Sequence, residues 1–136
     1  MSAGKRFIDT NVLLYLLSGD EAKADRAESE LRAEAECVLS VQVLNEFASA
    51  ALRKLRMSIA ETREALDPIR AVCRVEPVTE ATHDLGLLVA ERYGVSVYDA
   101  MIVAAACLAD CRILLSENFQ DHQVFERTLE VRNPFC

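Results

Sequence analysis

Four acidic side chains, Asp9, Glu46, Asp99 and Asp121, stand where strands or helices begin and end in the pattern of the chain. Asp9 follows the apolar pair Phe7-Ile8 and precedes the apolar run 12–17, at a seam between a strand and a helix start. In α/β folds ligands bind beyond the carboxyl ends of the strands, where an acid is placed to hold a cation or activate water. The same residue equally suits an N-cap for a helix beginning near Asn11. Glu46 lies in the first turns of an amphipathic pattern, at the edge of its apolar stripe, where the positive helix start would also favour it. Asp99 opens the apolar run 100–109, and Ser96-x-x-Asp99 reads as a capping box. Even so, an acid opening an otherwise uncharged buried helix faces a crevice or a cation more readily than bulk water. Glu117, Asn118 and Asp121 follow directly from the apolar stretch Ile113-Leu-Leu-Ser116.

Positioning these groups requires strands that alternate with helices. Strands are predicted at Phe7-Ile8 with the basic pair before it, at Cys37-Val-Leu-Ser40, at 73–76 and at Ile113-Leu-Leu-Ser116, with a short last strand near 129–131. Helices are predicted over 11–17 and 20–35, then after Ser40, which is placed to cap a stripe formed by Val41, Leu44, Ala48, Ala51, Leu52 and Leu55. Ser58-Ile-Ala-Glu61 is a capping box for a helix to about residue 72, which Pro68 would kink or split. Further helices are expected over 79–93, ended by Gly94, and through the apolar run 100–109. The alternation predicts a parallel α/β sandwich with helices on both faces and all strand carboxyl ends along one edge. Independent surface acids would have no reason to share that edge.

Carboxylates crowded into one crevice repel one another, and a hard divalent cation such as Mg²⁺ or Mn²⁺, which prefers oxygen ligands, relieves the repulsion. Such ions activate water and stabilise charge on a phosphoryl group, which suits phosphodiester hydrolysis. No Ser-His-Asp set, phosphate-cradling glycine loop or H-E-x-x-H competes with that reading. His83 falls inside a predicted helix and His122 in a loop, where surface roles are expected. The five cysteines lack C-x-x-C spacing, which argues against structural zinc, and free thiols fit a reducing cytoplasm. The net charge of −7 argues against a general nucleic-acid surface but not against a metal-dependent nuclease, since two divalent ions would bring it to −3. The length of 136 residues suits one domain spanning 1–136, and no apolar run is long enough for a signal core or a membrane span.

The ordered set Phe7-Ile-Asp-Thr-Asn-Val12, Asn45-Glu-Phe47, Tyr98-Asp-Ala-Met-Ile-Val-Ala-Ala105, Leu114-Leu-Ser-Glu-Asn-Phe-Gln-Asp121 and Val131-Arg-Asn-Pro-Phe135 resembles a PIN domain, particularly a VapC-type toxin of bacterial toxin–antitoxin pairs. The resemblance implies a PIN-like three-layer sandwich and a ribonuclease dependent on Mg²⁺ or Mn²⁺. In it Asp9, Glu46 and Asp99 match three of the family's acidic residues. The family's fourth acid falls on Asn118, which brings no charge. Asp121 is the candidate substitute, with Glu117 behind it, so the expected metal ligands are Asp9, Asp99 and Asp121. Thr10 and Ser116 would orient ligands, and Tyr98 would pack beneath the site. The family further implies an RNA substrate, a homodimer and a cognate antitoxin whose basic tail reaches the carboxylates.

Two other readings compete. Asp9-Thr-Asn-Val12 after a strand resembles the haloacid-dehalogenase motif, with Asp9 as a phosphoryl-accepting nucleophile, but Asn11 stands where that family needs a second Asp. A PIN-like binding module that has lost turnover through Asn118 is the other.

Overall fold

The computed structural model describes residues 4–33 and 35–136. Its sheet has six strands in the order β3-β2-β1-β4-β6-β5, namely β1 (Lys5–Ile8), β2 (Glu36–Ser40), β3 (Cys73–Glu76), β4 (Ile113–Leu115), β5 (Val124–Phe125) and β6 (Leu129–Arg132). Every pairing is parallel except that of the edge strand β5 with β6. Phe7, Ile8, Val38, Leu39 and Leu114 are fully buried, as strands covered on both faces require.

Six α-helices connect the strands: α1 (Thr10–Leu14), continued by a 3-10 turn over Tyr15–Leu17, α2 (Glu21–Arg32), α3 (Val41–Arg53), α4 (Ile59–Val72), α5 (Glu80–Tyr93) and α6 (Val97–Leu108). Parallel strands need right-handed crossovers. The walk outward from β1 to β3 therefore sets α1 to α4 on one face, and the return past β1 to β4 sets α5 and α6 on the other. Accordingly α3 packs against α1 and α4, and α5 packs closely against α6. Gly86 makes that approach possible, because a Cβ there would stand 2.5 Å from the Met101 sulfur. α6 buries every residue from Ala100 to Ala106, as its all-round apolar sequence predicts.

Local capping follows the sequence closely. Ser58 and Glu61 form the expected capping box, Thr79 forms a second with Thr82, and Gly94 ends α5 in the left-handed conformation with φ 68°. Three expectations need correction, and one strand was not foreseen. The helix predicted over 20–35 is shorter, with Asp20 as its cap and Arg32 as its last residue, and residue 34 lies outside the described residues. Pro68 does not split α4, because Pro68 and Glu64, whose carbonyl loses its partner, both lie on the exposed face. Ser40 occupies the N-cap position of α3, yet its buried hydroxyl makes no cap hydrogen bond. β5 escaped prediction, since two residues carry no legible alternation.

Candidate functional site

Asp9 and Ser116 leave the carboxyl ends of adjacent strands, and the Asp9 amide bonds the Leu115 carbonyl at 3.0 Å, which fixes the two side by side. The Asp9 carboxylate is 2% exposed and accepts three hydrogen bonds. Oδ1 takes the Thr10 amide at 2.7 Å; Oδ2 takes the Ser116 hydroxyl at 2.8 Å and the Asn11 amide nitrogen at 3.2 Å. Ser116 Oγ in turn accepts from the Asn118 amide at 3.0 Å and from Asn11 at 3.2 Å. One donor and two acceptors use its full capacity, so the hydroxyl holds one orientation.

Glu46 is the second anchored acid. Its Oε1 accepts from Thr10 Oγ1 at 2.7 Å, and its Oε2 accepts from Gln42 Nε2 at 3.1 Å, one helical turn earlier on α3. Gln42 also donates to the Tyr98 carbonyl at 3.0 Å, tying α3 to the residue before Asp99. Asp99 stands in the first turn of α6, where its amide bonds the Ser96 hydroxyl at 3.2 Å. Its half-buried carboxylate forms no hydrogen bond or ion pair among the described residues.

The charge in this crevice is one-sided. Burial pushes the Asp9 pKa up to about 6; the bonds from Ser116 and Thr10 oppose that rise, while the nearby Glu46 and Asp99 charges add to it. Among the described residues no Lys, Arg or His pairs with Asp9, Glu46 or Asp99. The arrangement therefore favours a cation bound by oxygen atoms. Among the described residues no three His, Cys, Asp or Glu side chains form a ready ligand set. That fits a hard ion held by one or two carboxylates and its own waters better than it fits a protein cage.

The other predicted residues divide. Asn118 is exposed beside Ser116. Glu117 turns from Asp9: its Oε1 accepts from Tyr15 OH at 2.8 Å, and Lys23 lies 3.9 Å from Oε2. Asp121 Oδ1 accepts from the Asn133 amide at 2.9 Å and its Oδ2 stands 3.4 Å from His122, so its contacts run to the C-terminal segment. Tyr98 does not pack beneath the site as expected. Its ring is 73% exposed, and only its backbone carbonyl joins the network. His122, 71% exposed, is a surface residue; a hydrogen bond with Glu130 and the charge of Asp121 raise its pKa. Sequence reasoning missed Asn11 and Gln42 as positioning residues. Gln42 four residues before Glu46 was the available signal for the second.

Residues 6–126 match the PIN domain. The chain belongs to the PIN domain family. No curated protein matches it. Among solved structures, this PIN chain is similar to a toxin–antitoxin complex from Klebsiella pneumoniae, with 22% identity, a TM-score of 0.71 and coverage of 95% of this chain and 97% of that one. It is also similar to VapC20 of Mycobacterium tuberculosis, described as a sarcin–ricin-loop-cleaving toxin, with 20% identity, a TM-score of 0.67 and coverage of 83% and 91%. A third is the DNA-bound VapBC of Salmonella typhimurium, with 16% identity, a TM-score of 0.69 and coverage of 98% and 99%. These likenesses give the PIN chain the fold of VapC-type toxins. The haloacid-dehalogenase reading falls, and Asn11 in the place of that family's second acid is a hydrogen-bond donor to Asp9. No helix among the described residues is long and apolar enough to cross a membrane.

Proposed function

We propose that the chain is an endoribonuclease dependent on Mg²⁺ or Mn²⁺, one PIN-like domain spanning 1–136, and the toxin of a cytoplasmic type II toxin–antitoxin pair. The observation that carries the reading is Asp9, a buried carboxylate with two further acids near it and no counter-cation among the described residues. When bound, a divalent ion would supply Lewis-acid stabilisation of charge on the scissile phosphate and acidify water. Asp9 and Asp99 would be its principal ligands. Glu46 and Asp121 complete the acidic set, and Asn118 contributes an uncharged carbonyl oxygen where relatives have the fourth acid. Ser116 and Thr10 hold Asp9 and Glu46 in register, Asn11 locks Ser116, and Gln42 fixes the second oxygen of Glu46. Glu117 supports the rim through Tyr15. The acidic balance of the chain favours a cognate antitoxin with a basic segment, and the protein acts as a homodimer. The solved neighbours named as toxin–antitoxin assemblies support that partnership.

Asn118 favours one second reading, a PIN-fold binding module with little or no turnover. Purified protein incubated with structured RNAs, a sarcin–ricin loop among them, in Mn²⁺, Mg²⁺ or EDTA separates the two. Metal-dependent cutting that disappears in Asp99→Asn is the expected result. An RNA panel left intact with every metal would overturn the nuclease and leave the binding module.

A further inference from the structure

The amino half of the sheet carries a second reactive arrangement, unconnected with the carboxylates. Cys37 and Cys73 are directly paired across the parallel strands β2 and β3, so their side chains project from the same face. Paired positions on neighbouring strands lie within the Cα separation that a disulfide spans, about 4.4–6.8 Å. Both side chains are buried beside each other on that face. Arg6 Nη2 lies 3.3 Å from Cys37 Sγ, and both cysteines line an open cavity of about 480 Å³ together with Leu31, Ala35 and Val72. Five free cysteines are present, and the other three are placed differently. Cys107 and Cys111 sit one turn apart around the end of α6, and Cys136 is exposed near the chain end.

We propose that Cys37 and Cys73 are a peroxide-reactive dithiol that closes to a disulfide between β2 and β3. Cys37 as thiolate attacks a hydroperoxide: its S–O bond forms as the O–O bond breaks, giving a sulfenic acid and an alkoxide or hydroxide that takes a proton from water. The Cys73 thiol then attacks the Cys37 sulfur. The S–S bond forms, the S–O bond breaks, and the oxygen leaves as water carrying the Cys73 proton. Two thiols and one hydroperoxide thus become one disulfide, one alcohol or water, and one further water.

Protonation supports this order. The neighbouring Cys73 thiol and the Arg6 guanidinium, against burial, hold the Cys37 pKa below its ordinary value, while its nearness to Cys37 together with burial pushes Cys73 up. Carbonyls of Glu30, Leu31 and Ala35, at 3.6 to 3.9 Å, accept from Cys37 when it is a thiol. Burial holds Cys107 up at about 11 and Cys111 at about 12, which leaves little thiolate there at neutral pH.

The test is peroxide treatment of the reduced full-length chain at pH 7, followed by alkylation of remaining thiols, intact mass and peptide mapping. Cys136→Ser is run in parallel to remove the exposed thiol. The expected result is loss of two alkylation sites with a crosslinked Cys37–Cys73 peptide, formed roughly tenfold or more faster than any change at Cys107 or Cys111. In Cys73→Ser, Cys37 should stop at a sulfenic acid that dimedone traps. Should that variant fail to fold, the map of the parent decides alone. Cys37 and Cys73 still fully alkylated after Cys136 is consumed would overturn the proposal, as would a Cys107–Cys111 crosslink in their place.

Discussion

Arg6 and Asp9 stand three residues apart along β1 and its exit, both almost fully buried, and the protein treats their charges in opposite ways. Arg6 is a cation with a matched anion: its guanidinium bonds both the carboxylate and the backbone carbonyl of Glu30 on α2. Asp9 is an anion held by neutral donors, and the charged groups near it among the described residues are the further acids Glu46 and Asp99. A buried ion with a satisfied partner is closed structure. A buried ion among like charges costs stability until a counter-ion arrives, and so marks a place where something binds. Burial alone does not distinguish the two; the missing counter-charge does.

The largest effect should follow from neutralising the open member. Asp9→Asn keeps the volume and the Thr10 bond but removes charge, so metal-dependent RNA cleavage should fall by roughly 10³-fold, about 4 kcal/mol in the barrier, with the circular dichroism spectrum unchanged. Asp99→Asn should lose a comparable factor. Cleavage by Asp9→Asn at the parental rate would remove Asp9 from the site. Breaking the closed member should do the reverse. Glu30→Ala strands the Arg6 charge and should cost roughly 2–3 kcal/mol in urea unfolding, somewhat below the range for fully buried pairs because Glu30 retains some exposure. Cleavage per folded molecule should stay within about twofold.

Next in size is the pH dependence of the metal-free protein. Asp9 has a folded-state pKa of about 6 against an ordinary value of 3.8, so the folded chain binds the proton more tightly than the unfolded chain. The contribution of Asp9 to stability is then fully present below about pH 4 and is lost as pH rises through 6, by at most roughly 3 kcal/mol. Thermal melts between pH 4 and 7.5 should show that loss in the parent and a flatter profile in Asp9→Asn. Mn²⁺ at pH 7 should raise the parental melting temperature and leave that of Asp9→Asn unmoved, because only the charged crevice binds the ion. Equal Mn²⁺ shifts in both proteins would break the contrast between Arg6 and Asp9.

Part of this contrast was legible in the sequence. Strand β1, the acids Asp9 and Asp99 at strand and helix ends, and the capping box at Ser58 follow from local chemistry, and local chemistry is what a sequence displays directly. Gln42 with Glu46 was nearly legible, because helical spacing joins them. Arg6 with Glu30 was not, since the pair spans a strand and a separate helix and no periodicity links the two. The exposure of Tyr98 was hidden for a related reason. An aromatic next to a buried helix reads as core, but its place in the first turn of α6 turns the ring outward while its carbonyl faces Gln42. The two-residue β5 and the turning of Glu117 toward Tyr15 likewise depend on how distant segments meet.

Asn118 sharpens the comparison at the smallest scale. It lies beside Ser116, whose hydroxyl is already committed to Asp9, so a carboxylate there adds charge to the open crevice without disturbing the Asp9 bonds. Asn118→Asp should therefore raise Mn²⁺ affinity about tenfold, about 1.4 kcal/mol, by isothermal titration, while slightly lowering the melting temperature of the metal-free protein. Asp121→Asn measured alongside tells which residue serves as the fourth acid. If it weakens Mn²⁺ binding in the parent but not in Asn118→Asp, the two positions substitute for one another. If Asn118→Asp leaves affinity unchanged and Asp121→Asn does too, the ion is held without a fourth carboxylate, by Asp9 and Asp99 with water.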